Sequence, residues 1–154
     1  MHKDWIFKDE GSICHFRVAA VLIRNNKLFV QQHNDEYALP GGHVSFGETS
    51  EETLIREFKE ETGVEITIER LIWVEENFWV WGGKKAHNIS FYYLISMKNE
   101  TDISDEFIMD DNDDVKMKWV PFNELSDITI YPHFVKDKIM NISPGIEHFV
   151  RNDW

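Results

Sequence analysis

Cysteine is nearly absent from this sequence, and its scarcity excludes several classes of protein. The single cysteine, Cys14, cannot form an internal disulfide and cannot build a cysteine-based zinc site. A reducing, cytoplasmic location is therefore the simplest expectation. The first ten residues are charged and contain no long apolar run, so they do not resemble a secretion signal. The apolar stretches elsewhere are too short to span a bilayer, which argues against a membrane partner.

Positive charge is also in short supply. Lys and Arg total 16 against 28 Asp and Glu, which gives a formal net charge of −12. An acidic surface repels phosphate backbones, so we do not expect binding to long nucleic acid. A small anionic ligand remains compatible with this charge if a divalent metal ion mediates the contact.

Repeats, low-complexity tracts and linkers rich in proline, glycine or serine are missing as well. Apolar residues make up 42% of the chain and aromatic residues 14%, which is ample material for a core and argues against disorder. With 154 residues, the chain suits one domain over 1–154, with one core and no room for a second domain.

Apolar patterning predicts strands on both sides of one helix. Branched and aromatic residues, punctuated by Asn and Gly pairs, are typical of strands joined by tight turns. The polar, acidic stretch 99–114 predicts a loop instead. The predicted strand segments are 13–26 and 27–34, joined at Asn25-Asn26, then 65–81 and 86–98, joined at 82–85, and finally 115–122, with a short strand or loop at 37–44.

Two segments read as helices. Residues 49–62 form the first, and Gly63 is a natural C-terminal stop. The second is predicted near the C-terminus, where Phe134, Val135, Ile139 and Met140 recur about once per turn. Strands, a helix, more strands and a final helix indicate an α/β or α+β sandwich, with a mixed sheet between helices.

The first helix has its own start signal. Thr49 is expected to be the N-cap, and Glu52 three residues later completes a capping box. Glu52 is therefore given a structural role and no chemistry. Leu54, Ile55 and Phe58 share a sector of about 100°, which predicts the core face of this helix.

Three further glutamates lie on another flank of the same helix. Glu57, Glu60 and Glu61 stand at positions i, i+3 and i+4, where like charges destabilise a helix by a few tenths of a kcal/mol per pair. The spacing makes sense if a cation binds between them. Oxygen ligands without His or Cys favour Mg²⁺ or Mn²⁺ over Zn²⁺. The carbonyl of Gly42 could add a ligand, and Arg56 could hold a carboxylate in place by a two-point contact.

These residues carry a recognisable motif. The segment from Gly42 to Val64 resembles the Nudix box, Gly-x5-Glu-x7-Arg-Glu-U-x-Glu-Glu-x-Gly-U, where U is a bulky aliphatic residue. Phe58 at the first U site is a mild departure that keeps the apolar face of the helix. The resemblance implies a Nudix-type α/β/α sandwich over nearly all of the chain.

The resemblance also implies a function. In the Nudix family the box forms a loop-helix-loop that binds a divalent metal and a diphosphate, and the enzymes hydrolyse a nucleoside diphosphate linked to a group X. A water activated by the metal attacks phosphorus, and a carboxylate takes its proton. Carried over by position, Glu57, Glu60 and Glu61 would bind the metal, Gly42 would offer its carbonyl, Arg56 would orient Glu57, and Glu48 would be a further ligand or a support.

The general base stays open between two places. Glu57 is our first choice, because Arg56 could fix its orientation. Some Nudix enzymes take the base from a loop after the box, and the corresponding stretch here, 105–114, is rich in acids that also suit an ordinary solvated loop. The candidates in that stretch are Glu106, Asp110, Asp111, Asp113 and Asp114.

The identity of X is not specified by the sequence. The markers that some Nudix subfamilies carry for ADP-ribose, dinucleoside polyphosphates or coenzyme A are missing, so a nucleoside triphosphate, a nucleotide sugar and an ADP-ribose type of substrate all remain. Core, surface or strand-edge roles compete with ligand contact at every aromatic and histidine position. The candidate substrate-binding residues are Gly41, His43, Tyr37, Trp79 and His87.

Three other functions compete with hydrolysis. A Nudix-like sensor would bind a nucleotide without cleaving it, although such sensors commonly lose box glutamates that this chain keeps. An isopentenyl diphosphate isomerase of the same fold needs a catalytic cysteine, and Cys14 lies far ahead of the box. A calcium buffer would need the EF-hand loop pattern, which is absent. Nudix proteins commonly dimerise, so a homodimer is a further expectation, with the aromatic stretch after the box as a candidate interface.

Overall fold

The computed structural model describes residues 2–99, 103, 109–112 and 115–154 of the chain. Strands predominate in this part, and one long helix interrupts them. No helix within it combines the length and the apolar character that crossing a membrane requires. The helices are α1 (Ser50–Thr62), a 3-10 helix (Phe122–Asp127) and α2 (Val135–Lys138), and the strands are β1 (Ile6–Lys8), β2 (Ser12–Val21), β3 (Ile23–Arg24), β4 (Lys27–His33), β5 (Glu36–Ala38), β6 (Gly41–His43), β7 (Ile66–Trp81), β8 (Lys84–Met97), β9 (Met109–Asn112), β10 (Val115–Pro121), β11 (Thr129–Tyr131) and β12 (Glu147–Asn152).

The described strands form two mixed sheets. Sheet A has the order β1-β2-β8-β7-β12, and β6 pairs with β2 beside β1. Sheet B has the order β11-β5-β4-β10-β9, and β3 pairs with β4. Parallel pairs join β2 to β8, β7 to β12 and β5 to β11, and the remaining pairs are antiparallel. The expected mixed α+β architecture is confirmed, with its strands divided between two sheets.

The first predicted hairpin is confirmed only at its tip. Asn25 and Asn26 adopt positive φ angles of 53° and 58°, as a tight turn between twisted strands requires. Only β3 and β4 pair across this turn, because the chain leaves sheet A after Val21 and enters sheet B at Ile23. β2 pairs in parallel with β8 instead. Local patterning does not reveal this switch of sheets, since the apolar run continues without a break from Val18 to Ile23.

The second hairpin and the last predicted strand are confirmed. β7 and β8 pair from Ile66↔Met97 to Trp81↔Lys84, and Gly82 and Gly83 form the turn with positive φ angles. β10 pairs with β4 and buries Met117 and Trp119, which stand two residues apart and so share one face of the strand.

The acidic stretch predicted as a loop contains a strand. β9, at Met109–Asn112, pairs antiparallel with β10. The segment has too few apolar residues to show the alternation of a strand, so its pairing with β10 could not be predicted from local sequence. Of the other residues in 99–114, only Asn99 and Ile103 are described, and neither belongs to a helix or a strand. The side chains of the five acids named as candidate bases lie outside the described residues.

Helix α1 begins and ends as predicted. The Thr49 hydroxyl accepts a hydrogen bond from the Glu52 amide (3.1 Å), and the Glu52 carboxylate accepts one from the Thr49 amide (2.8 Å). Gly63 ends the helix at φ 76°, in the left-handed region where a Cβ would be strained. The predicted core face needs one correction, because Ile55 is 39% exposed while Thr53 is fully buried.

The predicted C-terminal helix is much shorter than expected. α2 covers only Val135–Lys138, and Met140 is 75% exposed, so the apolar spacing there extends beyond the helix. The chain then continues as β12, which the sequence did not predict. Burial alternates along β12 between half-buried and exposed residues, but the sequence Glu-His-Phe-Val-Arg-Asn has no matching alternation of apolar and polar side chains, so local sequence does not mark the strand.

The core lies on both faces of β2. Val18 and Ala20 join α1 residues Leu54 and Phe58 in one apolar cluster. Alternate residues Ala19 and Val21 point the other way, into a second cluster that includes residues of α2 and β7. Sheet B contributes to both clusters. Sheet A therefore separates the two apolar clusters, and α1 packs on only one of its faces.

The capping box gives a first testable prediction. Thr49→Ala should lower the free energy of unfolding by about 1 kcal/mol, because one amide at the helix start loses its acceptor. Urea unfolding monitored by circular dichroism measures the change. Thr49→Ser keeps the hydroxyl and is the matched control, so an equal loss in both variants would contradict the capping role.

Candidate active site

The glycine pair of β6 sits between the backbone of β2 and the helix α1. A Cβ on Gly41 would lie 2.0 Å from the Val18 carbonyl oxygen, so only glycine fits this close approach. A Cβ on Gly42 would lie 2.7 Å from Cδ of Glu57. The missing side chains therefore allow the Glu57 carboxyl group to pack directly against the loop before α1. Gly41 itself is buried in the sheet.

Arg56 is the centre of the carboxylate cluster. Its Nε donates to Glu48 Oε1 at 3.0 Å, and its Nη2 donates to Glu48 Oε2 at 3.1 Å. Its Nη1 donates to Glu57 Oε1 at 3.0 Å and to Glu60 Oε2 at 3.3 Å. One guanidinium thus faces three carboxylates. The cluster keeps a net negative charge. The two-point contact predicted for Arg56 is made with Glu48, whereas Glu57 receives a single hydrogen bond.

Two small side chains complete the cluster, and sequence reasoning missed both. Thr53 donates its hydroxyl hydrogen to Glu48 Oε2 at 2.7 Å and accepts from the Ser45 amide at 3.3 Å. Ser45 Oγ accepts from Arg56 Nη2 at 2.9 Å. Both residues are buried and occupy variable positions of the Nudix box, so the motif does not mark them. The signal available was Thr53 itself, a polar residue on the inner side of α1.

These contacts shift the pKa values of Glu48 and Arg56 so that both side chains are favoured in their charged forms. Hydrogen bonds from Arg56, followed by the one from Thr53, lower the pKa of Glu48 below that of an ordinary glutamate. Burial acts to lower the pKa of Arg56, but its bonds to Glu48 and Glu57 outweigh this and raise it. Arg56 is therefore charged at any physiological pH. The Glu48 contribution to stability is present above the ordinary glutamate pKa and is lost as the pH falls below it.

The fit of this cluster to a divalent metal depends on its donor chemistry. Among the described residues, no three His, Cys, Asp or Glu side chains are gathered into a ready metal site. Glu57 and Glu60 nevertheless share one partner atom on Arg56, and Glu61 lies half-buried on the same flank. Their oxygens and the Gly42 carbonyl are the hard ligands that Mg²⁺ and Mn²⁺ prefer. The residues therefore fit such an ion, because they offer oxygen ligands and lie on one flank of α1 next to Gly42.

The structure brings only some of the candidate substrate-binding residues near the glycine pair. His43 follows Gly42 in β6, is half-buried, and packs edge-on against His15 with ring centroids 5.0 Å apart. Its Nδ1 lies 3.8 Å from Asp4 Oδ2, and burial lowers its pKa. Burial therefore favours the uncharged imidazole of His43, whose side chain lies on the opposite side of the sheet from Glu57.

The other three lie apart from each other. Tyr37 belongs to sheet B, where Lys118 Nζ sits 5.0 Å from the centre of its ring. Trp79 donates its indole hydrogen to Asn88 Oδ1 at 3.0 Å on the face of sheet A away from α1. His87 is on the opposite face, where it stacks on Phe78 at 4.0 Å. Trp79 and His87 therefore do not contribute side chains to one surface.

Comparison with known proteins gives the chain a family. A family model described as the NUDIX domain matches residues 15–139. Over 62 residues the chain is 40% identical to the ADP-ribose pyrophosphatase of Methanocaldococcus jannaschii, which covers 37% of each protein. Over 93 residues it is 31% identical to a protein of Lactococcus lactis named as a probable DHNTP pyrophosphohydrolase, which covers 53% of this chain and 54% of that one.

A solved structure extends the likeness to the whole fold. The MutT protein of Bacillus halodurans superposes with a TM-score of 0.64 at 17% identity, over 90% of this chain and 91% of that one. At this identity the likeness concerns the fold alone. The chain spans between 34% and 54% of the length of the curated relatives that it matches.

The Arg56 cluster gives the second prediction. Arg56→Gln should lower the free energy of unfolding by about 1.5–3 kcal/mol in EDTA, because charge-assisted hydrogen bonds are lost and carboxylates are left facing each other. Urea unfolding in metal-free buffer measures this. Lys59→Gln is the matched control on the same helix, since its ion pair with Glu65 is exposed and should change stability by no more than about 0.5 kcal/mol. Equal effects in both variants would contradict a special role for Arg56.

Proposed function

Because the chain belongs to the NUDIX family, we propose that it is a divalent-metal-dependent pyrophosphohydrolase that acts on a nucleoside diphosphate linked to a second group. The observation that carries this proposal is the carboxylate cluster around Arg56, packed against the side-chain-free Gly42. The names of the relatives, a pyrophosphatase and a pyrophosphohydrolase, support the same class of reaction.

The metal proposed for this site is Mg²⁺ or Mn²⁺. Glu57, Glu60, Glu61 and the Gly42 carbonyl would hold it. When bound, such an ion lowers the pKa of water and offsets the charge of a diphosphate. Glu60 is 54% exposed, so its carboxylate can turn toward a cation without leaving a packed position.

The side chains of the cluster have separate roles in this proposal. Arg56 holds Glu57 by one N–H and Glu48 by two others, so the orientation of Glu57 is set from the side away from Gly42. Glu57 is then the proposed base, which takes a proton from the attacking water. Ser45 and Thr53 position Glu48 and Arg56 and touch no substrate. A base from the 105–114 stretch stays as the alternative.

A nucleotide-binding sensor without hydrolysis is the second candidate. The observation that favours it is the lack, within the described part of the chain, of three acids already gathered around a metal position. Binding of a nucleotide without hydrolysis does not need three acids gathered at one position. The retained glutamates and the pyrophosphatase relatives favour the enzyme.

A substrate panel separates the two candidates. The purified chain is incubated with Mg²⁺ and, in turn, nucleoside triphosphates, ADP-ribose, nucleotide sugars and dinucleoside polyphosphates. Phosphate released after a coupled phosphatase step measures cleavage. The proposal expects turnover of at least one compound and loss of turnover in EDTA. Absence of cleavage throughout the panel, with nucleotide binding retained, would establish the sensor instead.

Substitution of the box glutamates tests the metal site directly. Glu60→Gln and Glu61→Gln should each lower kcat by about two orders of magnitude or more, because each removes a charge from the metal position. Glu52→Gln is the matched control on the same helix, where the carboxylate serves the capping box, and its turnover should be close to that of the parent chain. Near-normal turnover in Glu60→Gln or Glu61→Gln would refute the assigned ligands.

A further inference from the structure

Sheet A carries a row of polar side chains on the face away from α1. The strand register places one residue from each of five strands in line across the sheet. The row begins at the strand that holds the glycine pair and ends at the C-terminal strand. We call it the polar row. Its polar members are His43 on β6, Arg17 on β2, Ser90 on β8 and Glu75 on β7, and the apolar Phe149 on β12 ends it.

The centre of the polar row is deeply buried. Glu75 is 5% exposed and Ser90 is 4% exposed. Tyr92, also buried, donates its hydroxyl hydrogen to Glu75 Oε1 at 2.9 Å. Among the described residues, Glu75 Oε2 accepts no side-chain hydrogen bond, yet it is not one of the fully buried atoms that lack a partner, so it stays open to the space above the sheet. A nearly buried carboxylate with one open oxygen can accept hydrogen bonds from a ligand, which points to a binding role.

Burial is the main influence on Glu75. It raises the pKa of the carboxyl group, and the bond from Tyr92 and the positive charge of Arg151 lower it only in part. Arg151 stands beside Asn77 in the register, two residue pairs further along the strands than Glu75, and its Nε pairs with Asp153 Oδ2 at 2.7 Å. Among the described residues, Glu75 therefore makes no ion pair of its own.

A hydrogen-bonded chain continues along β8 next to the polar row. Trp79 Nε1 donates to Asn88 Oδ1, and Asn88 Nδ2 donates to Ser90 Oγ at 3.0 Å. Two atoms beside this chain, Asn77 Oδ1 and His15 Nδ1, are buried without a hydrogen-bond partner among the described residues. Burial lowers the pKa of His15 to about 4, so its ring is neutral. The surface thus has hydrogen-bonding capacity that the chain itself does not use.

Arg17 occupies the other end of the row. It is half-buried, and no ion pair joins it to any carboxylate in the described part of this strongly acidic chain. Its nearest neighbours across the strands are His43 and Ser90. A half-buried guanidinium without a carboxylate partner is suited to an anion such as a phosphate.

The spacing of the row matches an elongated ligand. Adjacent strands lie about 4.8 Å apart, so β7 is about 14 Å from β6. His43 follows Gly42, whose other side packs against Glu57. A ligand with its phosphates near the glycine pair would therefore pass Arg17 first and reach Glu75 with its far, uncharged end.

We propose that the polar row is the floor of the substrate site, in which Arg17 holds a phosphate group and Glu75 selects the neutral moiety by accepting hydrogen bonds from neighbouring donors. This inference rests on the proposed function for the presence of a phosphate. Two sources offer such donors on a nucleotide: the ring N–H and amino group of a guanine-type base, and the vicinal hydroxyls of a ribose. Glu75 is thus a specificity-determining residue, and no step of the hydrolysis involves it.

Binding without metal tests the inference apart from catalysis. Calorimetric titration of the full chain in EDTA compares GDP with IDP, which lacks the amino group, and with 2′-deoxy-GDP, which lacks one ribose hydroxyl. The parent chain should prefer GDP over one analogue by about tenfold or more, since a bond to a charged acceptor is lost. The analogue that loses affinity identifies the source of the donors. Glu75→Gln should reduce the preference to about twofold or less.

Two further variants sharpen the test. Glu76→Gln is the matched control, because Glu76 lies on the opposite face of β7 and pairs with His148 at 2.8 Å. It should keep the parent preference. Arg17→Gln should weaken GDP by about tenfold but leave guanosine unchanged, and this measurement decides the question if Glu75→Gln fails to fold.

Several outcomes would overturn the inference. They are no binding of any nucleotide, no preference among the three in the parent chain, an unchanged preference in Glu75→Gln, and equal losses for GDP and guanosine in Arg17→Gln. Failure of the substrate panel together with the expected binding pattern would reject the hydrolase and leave the polar row standing. Hydrolysis with specificity untouched by Glu75→Gln would reject the polar row alone.

Discussion

Gly41 has no side chain, and this lets β6 lie directly against β2. With a Cβ only 2.0 Å from the Val18 carbonyl oxygen, any other residue would push β6 off the edge of sheet A. Successive residues of a strand point to opposite faces, so Gly42 and His43 then serve different sides of the sheet. Gly42 faces the Glu57 carboxyl group, and His43 opens the polar row. A three-residue strand thus joins the two sites that the structure suggests.

The carboxylate cluster would destabilise the fold by charge repulsion, but side chains of the same protein offset that repulsion. Three carboxylates within reach of each other repel, and in this fold the guanidinium of Arg56 lies among them. Thr53 and Ser45 fix that guanidinium through Glu48 and through a direct bond. The cluster is therefore held in place by the chain's own hydrogen bonds, and its remaining negative charge suits the cation proposed for it. Because these side chains are already fixed, less conformational entropy is lost when a ligand binds.

Local signals in the sequence predicted the local parts of this structure. The cap at Thr49, the stop at Gly63 and the turn at Gly82-Gly83 depend on a few neighbouring residues, and each is present. The carboxylates were found for the same reason, because their spacing lies on one helix.

Features that depend on distant partners were not predictable in this way. β12 exists because it pairs with β7, more than sixty positions earlier, and its own residues show no strand pattern. The division between β2 and β3 arises because the first part of one apolar run pairs with β8 in sheet A and its last part pairs with β4 in sheet B. Glu75 and Arg17 are far apart in sequence and meet only through β8, so their relation appears only once parallel pairing sets the register.

Separation of charge across sheet A explains how an acidic chain can serve an anionic ligand. Had Arg17 shared a face with Glu57 and Glu60, it would have paired with them, as Arg56 does. On the opposite face it meets His43, Ser90 and a buried Glu75 two strands away, so its charge is left for a ligand. Apolar residues occupy the neighbouring row at Ala19 and Trp73, where they are buried in the core, whereas Ser90 and Glu75 are buried and polar. The polar choice costs stability, and recognition of a polar molecule is the physical reason to accept that cost.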